Sequence, residues 1–482
     1  MPVADRVVVV VFDGLRPDMI AGRMPNLEAF AVESMWYREA RSVFPSYTRA
    51  ATTATATGCW PAQNGIIGNA FHQPDILKGE PIDTSNFAHL ELLSQRDPGG
   101  LIHVPTLGER LAADGKRMAA VHCGSAGSAY LINHKVRQNG HWTLSALGAE
   151  GTQTPEIMER AAALGPLPSM DIPKFEVVDY AKRAFQALTE GQPEDQPDVT
   201  FIWFPEPDTS YHFREIGSEP TRAVMEAVDK AFAEIVDTIR NRPGGERTAI
   251  IAMSDHGQIS TTGLFEMDAA MTADGLPASY RPDEETRVAL IRGAAGECRM
   301  LTDDTALRGI VAQWLMQREE IGMVFARDDL VAGIEGALPL SLVNLNHTRA
   351  PELMYVMRSS DAPDPYGLPG TGMMTGGVPV GGGMHGGLNR YELNTVLMIN
   401  APDGRQGDVH HACGLIDVAP TVLGLLGSPD GGMGGRYLDD KPEDIQHEIT
   451  THRAQWREFQ QTVELAQRGD VRFILQGGRC VS

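Results

Sequence analysis

The stretch VVVVVFDG, residues 7–14, decides the fold expected for this chain of 482 residues. Its five valines and one phenylalanine form an unbroken apolar run, and such a run predicts a strand that is buried on both faces, as in parallel sheets. Similar runs at 116–121, 199–204, 248–253 and 394–400 alternate with helical patterns. We therefore predict an α/β fold with a doubly wound, mostly parallel sheet and helices on both faces.

Helical patterns fill the spaces between the predicted strands, at 24–30, 48–58, 107–114 and 220–241. The segment 264–358 breaks this alternation, with short strands predicted at 287–292 and 299–301 and a helix at 304–320. We interpret it as a small inserted α/β cap, so that residues 1–263 and 359–482 together form the catalytic domain. The stretch 363–387, rich in glycine, is predicted to be a loop.

Charge and composition narrow the classes of partner. The formal net charge of -22 argues against binding to nucleic-acid polymers or anionic membranes, because both favour a basic surface. No apolar run approaches the ~20 residues that cross a bilayer. The five cysteines are widely spaced and odd in number, which favours a reducing compartment. We expect a cytoplasmic enzyme that acts on a small molecule.

Acidic residues and histidines follow several predicted strands. In doubly wound sheets, ligands bind beyond the carboxyl ends of the strands, and these side chains lie there. A set that mixes carboxylates with imidazoles suits zinc or a similar first-row divalent ion. Each aspartate taken alone could instead be a helix cap or a turn residue. The set comprises Asp13, Asp208, His212, Asp255, His256 and His385.

The order of the motifs resembles the alkaline phosphatase superfamily, in its type I phosphodiesterase/nucleotide pyrophosphatase family. The resemblance is carried by VVVFDGLRPDM around Asp13, MPNL at Met24, FPSYTRAATTATATGCWPAQNGIIGN from Phe44, EPDTSYH from Glu206, MSDHGQ from Met253, GMHGGLN from Gly383 and IDVAPTVLGLLG from Ile416. It spans most of the chain and is weakest over 264–358.

This resemblance implies roles for single residues. Thr48 matches the position of the nucleophile, and Asn69 matches the residue that donates to a phosphoryl oxygen. Two divalent ions are implied, with zinc preferred and manganese or iron as alternatives. One ion is expected on Asp13, Thr48, Asp255 and His256, and the other on Asp208, His212 and His385. A phosphodiesterase that forms a covalent phospho-threonine is the function that the resemblance implies.

Arg49 departs from the family pattern, because the nucleophile is usually followed there by Phe-Pro-Asn. It could contact a more highly charged phosphate, or it could be an ordinary exposed helix residue. Lys135 and Arg137 are a second candidate phosphate clamp, since monoesterases of the superfamily use a similar Lys-x-Arg. A phosphomonoesterase and a phosphonoacetate-type hydrolase are therefore the alternatives on the same site. A metal-dependent mutase and a non-enzymatic binding protein are more distant alternatives.

Overall fold

A computed structural model of the chain describes residues 2–302, 304–439 and 447–480. Its strands are β1 (Arg6–Phe12), β2 (Met35–Tyr37), β3 (Ala40–Arg41), β4 (Ala70–Phe71), β5 (Ile82–Asp83), β6 (Met118–His122), β7 (Trp142–Ser145), β8 (Val199–Phe204), β9 (Thr248–Met253), β10 (Ile259–Leu264), β11 (Ala278–Ser279), β12 (Val288–Leu290), β13 (Ala295–Met300), β14 (Ile321–Ala326), β15 (Leu338–Pro339), β16 (Leu353–Met357), β17 (Ser359–Pro363), β18 (Pro369–Met374), β19 (Gly383–Met384), β20 (Leu397–Asn400), β21 (Gly407–Val409), β22 (Cys413–Gly414), β23 (Glu448–Trp456), β24 (Phe459–Arg468) and β25 (Val471–Arg479).

The α-helices lie between these strands. They are α1 (Pro25–Val32), α2 (Thr48–Thr57), α3 (Pro61–Asn64), α4 (Phe87–Arg96), α5 (Leu107–Ala113), α6 (Ala126–Ile132), α7 (Pro155–Ala161), α8 (Phe175–Leu188), α9 (Asp208–Arg214), α10 (Glu219–Asn241), α11 (Met267–Ala273), α12 (Leu307–Met316), α13 (Arg390–Leu393) and α14 (Val418–Leu425). No helix in the described part of the chain is both long and apolar enough to cross a membrane.

The valine stretch forms β1, near the middle of an eight-stranded sheet with the order β21-β2-β20-β9-β1-β8-β6-β7. β1 pairs in parallel with β8 on one side and β9 on the other, and only the two pairings of β20 are antiparallel. The predicted doubly wound, mostly parallel sheet is therefore confirmed. The predicted strands at 199–204 and 248–253 match β8 and β9 at both ends.

Burial on both faces explains why β1 consists of valines. Val7, Val9 and Val11 pack into one core with α2, α5 and α14, whereas Val8 and Val10 pack into a second core with α1, α8 and α10. Each side chain that is buried in this way stabilises the fold by about 1.5–3 kcal/mol relative to its exposure. The sheet thus holds the carboxyl end of β1 rigidly between two helical layers.

The Thr/Ala-rich helix predicted from 48 to 58 is α2, and Gly58 ends it with a φ of 62°. Threonine is a poor helix former, because its branched side chain is restricted against the preceding turn. Here the hydroxyls of Thr52 and Thr57 donate to the carbonyls of Thr48 and Thr53, four residues earlier, at 2.7 Å each. Thr52 and Thr57 are thus satisfied locally, and the alanines pack into the core.

The segment 264–358 forms a sheet of its own, with the order β11-β12-β13-β16-β14-β15. The strands and the helix predicted within it correspond to β12, β13 and α12. The C-terminal sheet of β23, β24 and β25 packs against it, and the Gln461 amide bonds both backbone groups of Val324 at 3.0 Å. The division into a catalytic domain and an inserted cap stays a prediction.

The expectation of a loop over 363–387 was wrong in part. β18 and β19 lie within this segment, and both pair with β10. The many glycines hid the strands, because they weaken a strand pattern in the sequence. β19 ends one residue before His385, so a strand rather than a free loop places this histidine.

Candidate active site

Three adjacent parallel strands deliver the acidic residues of the site to one edge of the sheet. Asp13 directly follows β1, Asp255 lies two residues after β9, and Asp208 begins α9 a few residues after β8. Because β9, β1 and β8 are neighbours that run in the same direction, their carboxyl ends meet. This is the position that the sequence predicted for the site.

The first cluster consists of Asp13, Asp255 and His256, all buried, and their ligand atoms lie within 4.8 Å of one another. One oxygen of each carboxylate is held by the protein. Trp203 Nε1 donates to Asp13 Oδ2 at 2.9 Å, and the Gly14 and His256 amides donate to Asp255 Oδ1 at 3.1 Å. The other oxygens, Asp13 Oδ1 and Asp255 Oδ2, have no hydrogen-bond partner among the described residues. They lie 3.4 and 3.3 Å from His256 Nε2.

The second cluster consists of Asp208, His212 and His385. The Nε2 atoms of His212 and His385 lie 3.3 and 3.5 Å from Asp208 Oδ1. The His385 ring stacks on the His256 ring, with centroids 3.6 Å apart, so the two clusters adjoin each other. The ligand atoms of Asp208, His385 and His256 also lie within 4.8 Å of one another, so His256 lies between the clusters. The structure thus brings together the six aspartates and histidines that were expected to hold metal.

The three imidazoles are oriented by backbone carbonyls. His212 Nδ1 lies 2.7 Å from Gly383 O, and His385 Nδ1 lies 2.7 Å from Ser46 O. His256 Nδ1 lies 3.1 Å from the carbonyl of its neighbour Gly257. A carbonyl only accepts, so each Nδ1 carries a proton, and each ring turns its Nε2 toward the carboxylates.

This arrangement fits divalent metal ions. The Nε2 lone pair of an imidazole and a carboxylate oxygen that faces it repel each other unless a cation lies between them. Ligands at about 2.0–2.1 Å from a tetrahedral zinc ion are roughly 3.3 Å apart, close to the spacings between imidazole and carboxylate atoms here. The unpartnered oxygens of Asp13 and Asp255 are the buried groups that such an ion would satisfy.

The pKa shifts of Asp255 and His256 also indicate that positive charge is favoured at the site. Burial, followed by the charge of Asp13, raises the pKa of Asp255 well above its usual value. Burial lowers the pKa of His256, but the carboxylates of Asp255 and Asp13 outweigh it and raise this pKa to about 10. For Asp208, burial is outweighed by the neighbouring His212, and its pKa falls below the usual value. The charges around Asp255 and His256 therefore favour a cation between them.

Thr48 is the first residue of α2, and its Oγ1 lies 3.2 Å from His256 Nε2. The unsatisfied amides of a helix N-terminus favour negative charge nearby, and this would stabilise a threonine alkoxide. The preceding residue, Tyr47, is buried and donates its hydroxyl to Ala295 O at 2.6 Å. The hydroxyl of Thr48 therefore lies beside the first cluster, on a backbone that is fixed from the other side.

Asn69 and Arg49 lie beside the nucleophile. The Arg49 amide donates to Asn69 Oδ1 at 3.1 Å, and this contact leaves the NH₂ group of Asn69 available to a phosphoryl oxygen. The Arg49 side chain is half-buried, and its Nε donates to Thr84 Oγ1 at 3.0 Å. Burial lowers the pKa of Arg49, while Asp83, Asp13 and Asp208 act in the opposite direction. Arg49 is thus not a fully exposed helix residue.

Lys135 and Arg137 are not brought to this site. Lys135 Nζ pairs with Glu109 Oε1 at 2.6 Å, and Arg137 donates to the carbonyl of Gln153. Both are exposed and line a separate pocket, next to Phe87. As a phosphate clamp at Thr48, the pair is not supported by these contacts.

Gln258 belongs to the site but was not predicted from the sequence. It is fully buried, and its amide Nε2 donates to Asp208 Oδ1, the same oxygen that faces two imidazoles. Its other amide atom, Oε1, has no hydrogen-bond partner in the described part of the chain. Its place two residues after His256 was visible in the sequence, but its contact with Asp208 depends on the packing of α9.

A family model described as type I phosphodiesterase / nucleotide pyrophosphatase matches residues 7–359. The chain belongs to this family. Members of the family are hydrolases of phosphoesters, and the chain is accordingly a phosphoester hydrolase of the alkaline phosphatase superfamily. No curated protein matches the sequence.

Solved structures share the fold at low sequence identity. An inactive variant of murine ectonucleotide pyrophosphatase / phosphodiesterase 5, in complex with AMP, is 15% identical with a TM-score of 0.62. The match covers 89% of this chain and 97% of that one. Phosphonoacetate hydrolase from Sinorhizobium meliloti 1021, in complex with phosphonoformate, is 18% identical with a TM-score of 0.59, over 88% and 95% of the two chains. The confirmed fold class is thus that of these hydrolases.

Proposed function

We propose that the chain is a two-metal phosphodiesterase that cleaves small organic phosphodiesters through a covalent phospho-threonine on Thr48. The observation that carries this proposal is the position of Thr48 Oγ1, 3.2 Å from an imidazole that lies within reach of both clusters. The AMP and phosphonoformate bound to the structural neighbours are small phosphorus compounds, which supports a small-molecule substrate.

Zinc is the metal that the ligand set favours, with manganese or iron as alternatives. Asp13, Asp255 and His256, with the Thr48 hydroxyl, would hold one ion, and Asp208, His212 and His385 the other. When bound, such a pair polarises the phosphoryl group and stabilises charge on the attacking and leaving oxygens. The unpartnered carboxylate oxygens of the first cluster support this assignment.

The reaction divides into two displacements at phosphorus. Thr48 Oγ forms a bond to phosphorus as the bond to the leaving oxygen breaks, and the threonine proton is released while the leaving oxygen takes up a proton from water. Water then attacks the phospho-threonine, and the Thr48 hydroxyl is restored. The net reaction converts a diester and water into an alcohol and a phosphomonoester. Asn69 would orient a phosphoryl oxygen through its NH₂ group.

Replacement of Thr48 by alanine tests this mechanism. With bis-p-nitrophenyl phosphate as substrate and added Zn²⁺, we expect kcat of Thr48→Ala to fall by about 10³-fold or more. The matched control is Thr55→Val, since Thr55 is a buried threonine on the same helix without a hydrogen-bond partner for its hydroxyl. Full hydrolysis by Thr48→Ala, with the control also active, would refute the covalent mechanism.

A monoesterase or a phosphonoacetate-type hydrolase is the second candidate, and Arg49 is the observation that favours it. Its guanidinium is half-buried beside the nucleophile, where it could offset the additional charge of a monoester. Rates with bis-p-nitrophenyl phosphate, p-nitrophenyl phosphate and phosphonoacetate rank the candidates. A preference for the monoester of about a hundredfold, lost in Arg49→Ala, would replace the diester proposal with the second one.

A further inference from the structure

A cavity of about 660 Å³ lies between the segment 80–89 and the segment 268–292. We call it the interface cavity. Its volume falls within the range of about 300–1,000 Å³ that is usual for small-molecule sites. Neither cluster of the candidate active site lines it, and its polar wall includes Asp83, Asn86, Asp268, Tyr280, Arg281 and Arg292.

Both walls of the interface cavity contain residues that adjoin, in the chain or in space, the neighbours of the nucleophile. Ala70 lines it and directly follows Asn69. On the opposite wall, Arg292 precedes Gly293, which packs so closely on Tyr47 that a Cβ there would lie 1.8 Å from the phenol oxygen. Tyr47 in turn precedes Thr48. Asp83, which lines the cavity, also acts through its charge on Arg49, the residue after Thr48, and we therefore take this cavity as the space for an organic group attached to a phosphoryl at Thr48.

Two arginines of the cavity, Arg281 and Arg292, are exposed. Within the described residues, neither Arg281 nor Arg292 makes a side-chain hydrogen bond or an ion pair. The Arg292 guanidinium lies 4.1 Å from the centre of the Tyr280 ring, and this stacking limits its freedom before any ligand binds. Such a pre-oriented guanidinium is suited to bidentate binding of a carboxylate or a phosphate.

Two of the three acidic residues of the cavity have one carboxylate oxygen that accepts from a backbone amide. Asp83 Oδ1 accepts from the Ser85 amide at 2.8 Å, and Asp83 is the leading charge that favours the cationic form of Arg49. Asp268 Oδ1 accepts from the amide of its neighbour Ala269 at 2.9 Å. Glu80, the third carboxylate of the cavity, is exposed, so Arg292 is distinguished by its stacking on Tyr280 and not by an excess of positive charge.

We propose that the interface cavity receives the organic group of the substrate, and that Arg292, with Arg281, binds an anionic substituent on that group. The substituent is a carboxylate or a second phosphate, which share the geometry that a guanidinium recognises. This inference rests on the proposed function, because it places the phosphoryl group at Thr48. It narrows the substrate class to organic phosphoesters that carry a further negative charge.

Calorimetric titration of the zinc-loaded protein tests the inference without any need for turnover. The probes are sn-glycerol 3-phosphate, 3-phosphoglycerate and glycerol 1,3-bisphosphate, which end in a hydroxyl, a carboxylate and a phosphate. We expect the wild type to bind at least one of the two anionic probes about tenfold more tightly than glycerol 3-phosphate. Which of the two binds more tightly identifies the substituent.

Variants test whether the preference for an anionic probe arises in the interface cavity. In Arg292→Ala the tenfold preference should fall to about twofold or less, while glycerol 3-phosphate binds as before. The matched control is Arg457→Ala, because Arg457 also stacks on an aromatic ring, that of Trp456 at 4.5 Å, but lies in the turn between β23 and β24. Circular dichroism and metal content confirm that each variant is folded and loaded.

The outcomes separate the two proposals. Equal affinities for the three probes in the wild type, or a preference that survives in Arg292→Ala, would overturn the role of the cavity. Failure of the wild type to hydrolyse bis-p-nitrophenyl phosphate would count against the proposed function, whereas the titration would still report on the cavity. A preference that Arg457→Ala also loses would show that the effect is not local, and it would overturn the assignment to Arg292.

Discussion

The two clusters of the candidate active site use the same kinds of side chain but differ in burial and in hydrogen bonding. Asp255 and His256 of the first cluster are completely buried, whereas the side chains of Asp208 and His212 in the second retain 15% and 18% of their exposure. The first cluster leaves two carboxylate oxygens unpartnered, while Asp208 Oδ1 in the second also accepts from Gln258. The first cluster therefore has the greater need of a bound cation, and the second is open to solvent and substrate.

The largest effect is expected from a change in the first cluster, Asp255→Asn. Loss of a buried carboxylate that has no other partner for Oδ2 should remove the ion beside Thr48 and lower kcat/KM by about 10³-fold. Metal analysis and hydrolysis of bis-p-nitrophenyl phosphate measure both effects. Asp237→Asn, on the exposed face of α10, is the control. A variant that keeps its full metal content and a tenth of the activity would contradict the assignment.

The second cluster should respond less severely to His212→Ala. Its side chain is 18% exposed, which leaves room for water to replace the imidazole, so we expect a loss of about a hundredfold in kcat/KM, with partial recovery in excess Zn²⁺. Metal content should fall by about one ion per chain. His452→Ala, on β23, serves as the control. Loss of both ions, or no recovery in zinc, would show that the two clusters do not differ as their burial suggests.

Much of this site was predictable from the sequence, because its residues follow strands. The all-valine run before Asp13 and the apolar runs before Asp208 and Asp255 indicated a parallel sheet, and the edge of such a sheet collects their carboxylates. Thr48 was found because the motif around it resembles that of the family. The local pattern and the family pattern agreed at these positions.

Other features could not be predicted, because they depend on contacts between distant segments. Gln258 reaches Asp208 across 50 positions of the chain, and Tyr47 reaches Ala295 across 248. The Lys-x-Arg at Lys135 resembled a phosphate clamp in spacing, but no spacing shows where the turn after α6 directs its side chains. The glycine-rich strands β18 and β19 escaped notice, because glycine carries no side-chain pattern.

Gln258→Met tests how much one hydrogen bond contributes to the difference between the two clusters. The substitution keeps the approximate volume but removes the donor to Asp208 Oδ1, so we expect the second cluster to bind zinc about tenfold more weakly, with kcat at saturating zinc nearly unchanged. Titration of the apoprotein with zinc measures the affinity directly. Gln313→Met, exposed on α12, is the control. An unchanged zinc affinity would show that Gln258 only fills space.

The smallest effect is expected from Lys135→Ala, outside both clusters. The Lys135 side chain is 49% exposed and pairs with Glu109, and exposed ion pairs of this kind contribute less than about 1 kcal/mol to stability. We therefore expect less than about a twofold change in kcat/KM for both diester and monoester substrates. If Lys135 and Arg137 instead clamped the phosphoryl group, Lys135→Ala would lower monoester hydrolysis by tenfold or more, because a charge-assisted hydrogen bond would be lost. The same assay therefore decides whether positive charge at the site comes from Arg49 and the ions of the two clusters or from the segment that carries Lys135 and Arg137.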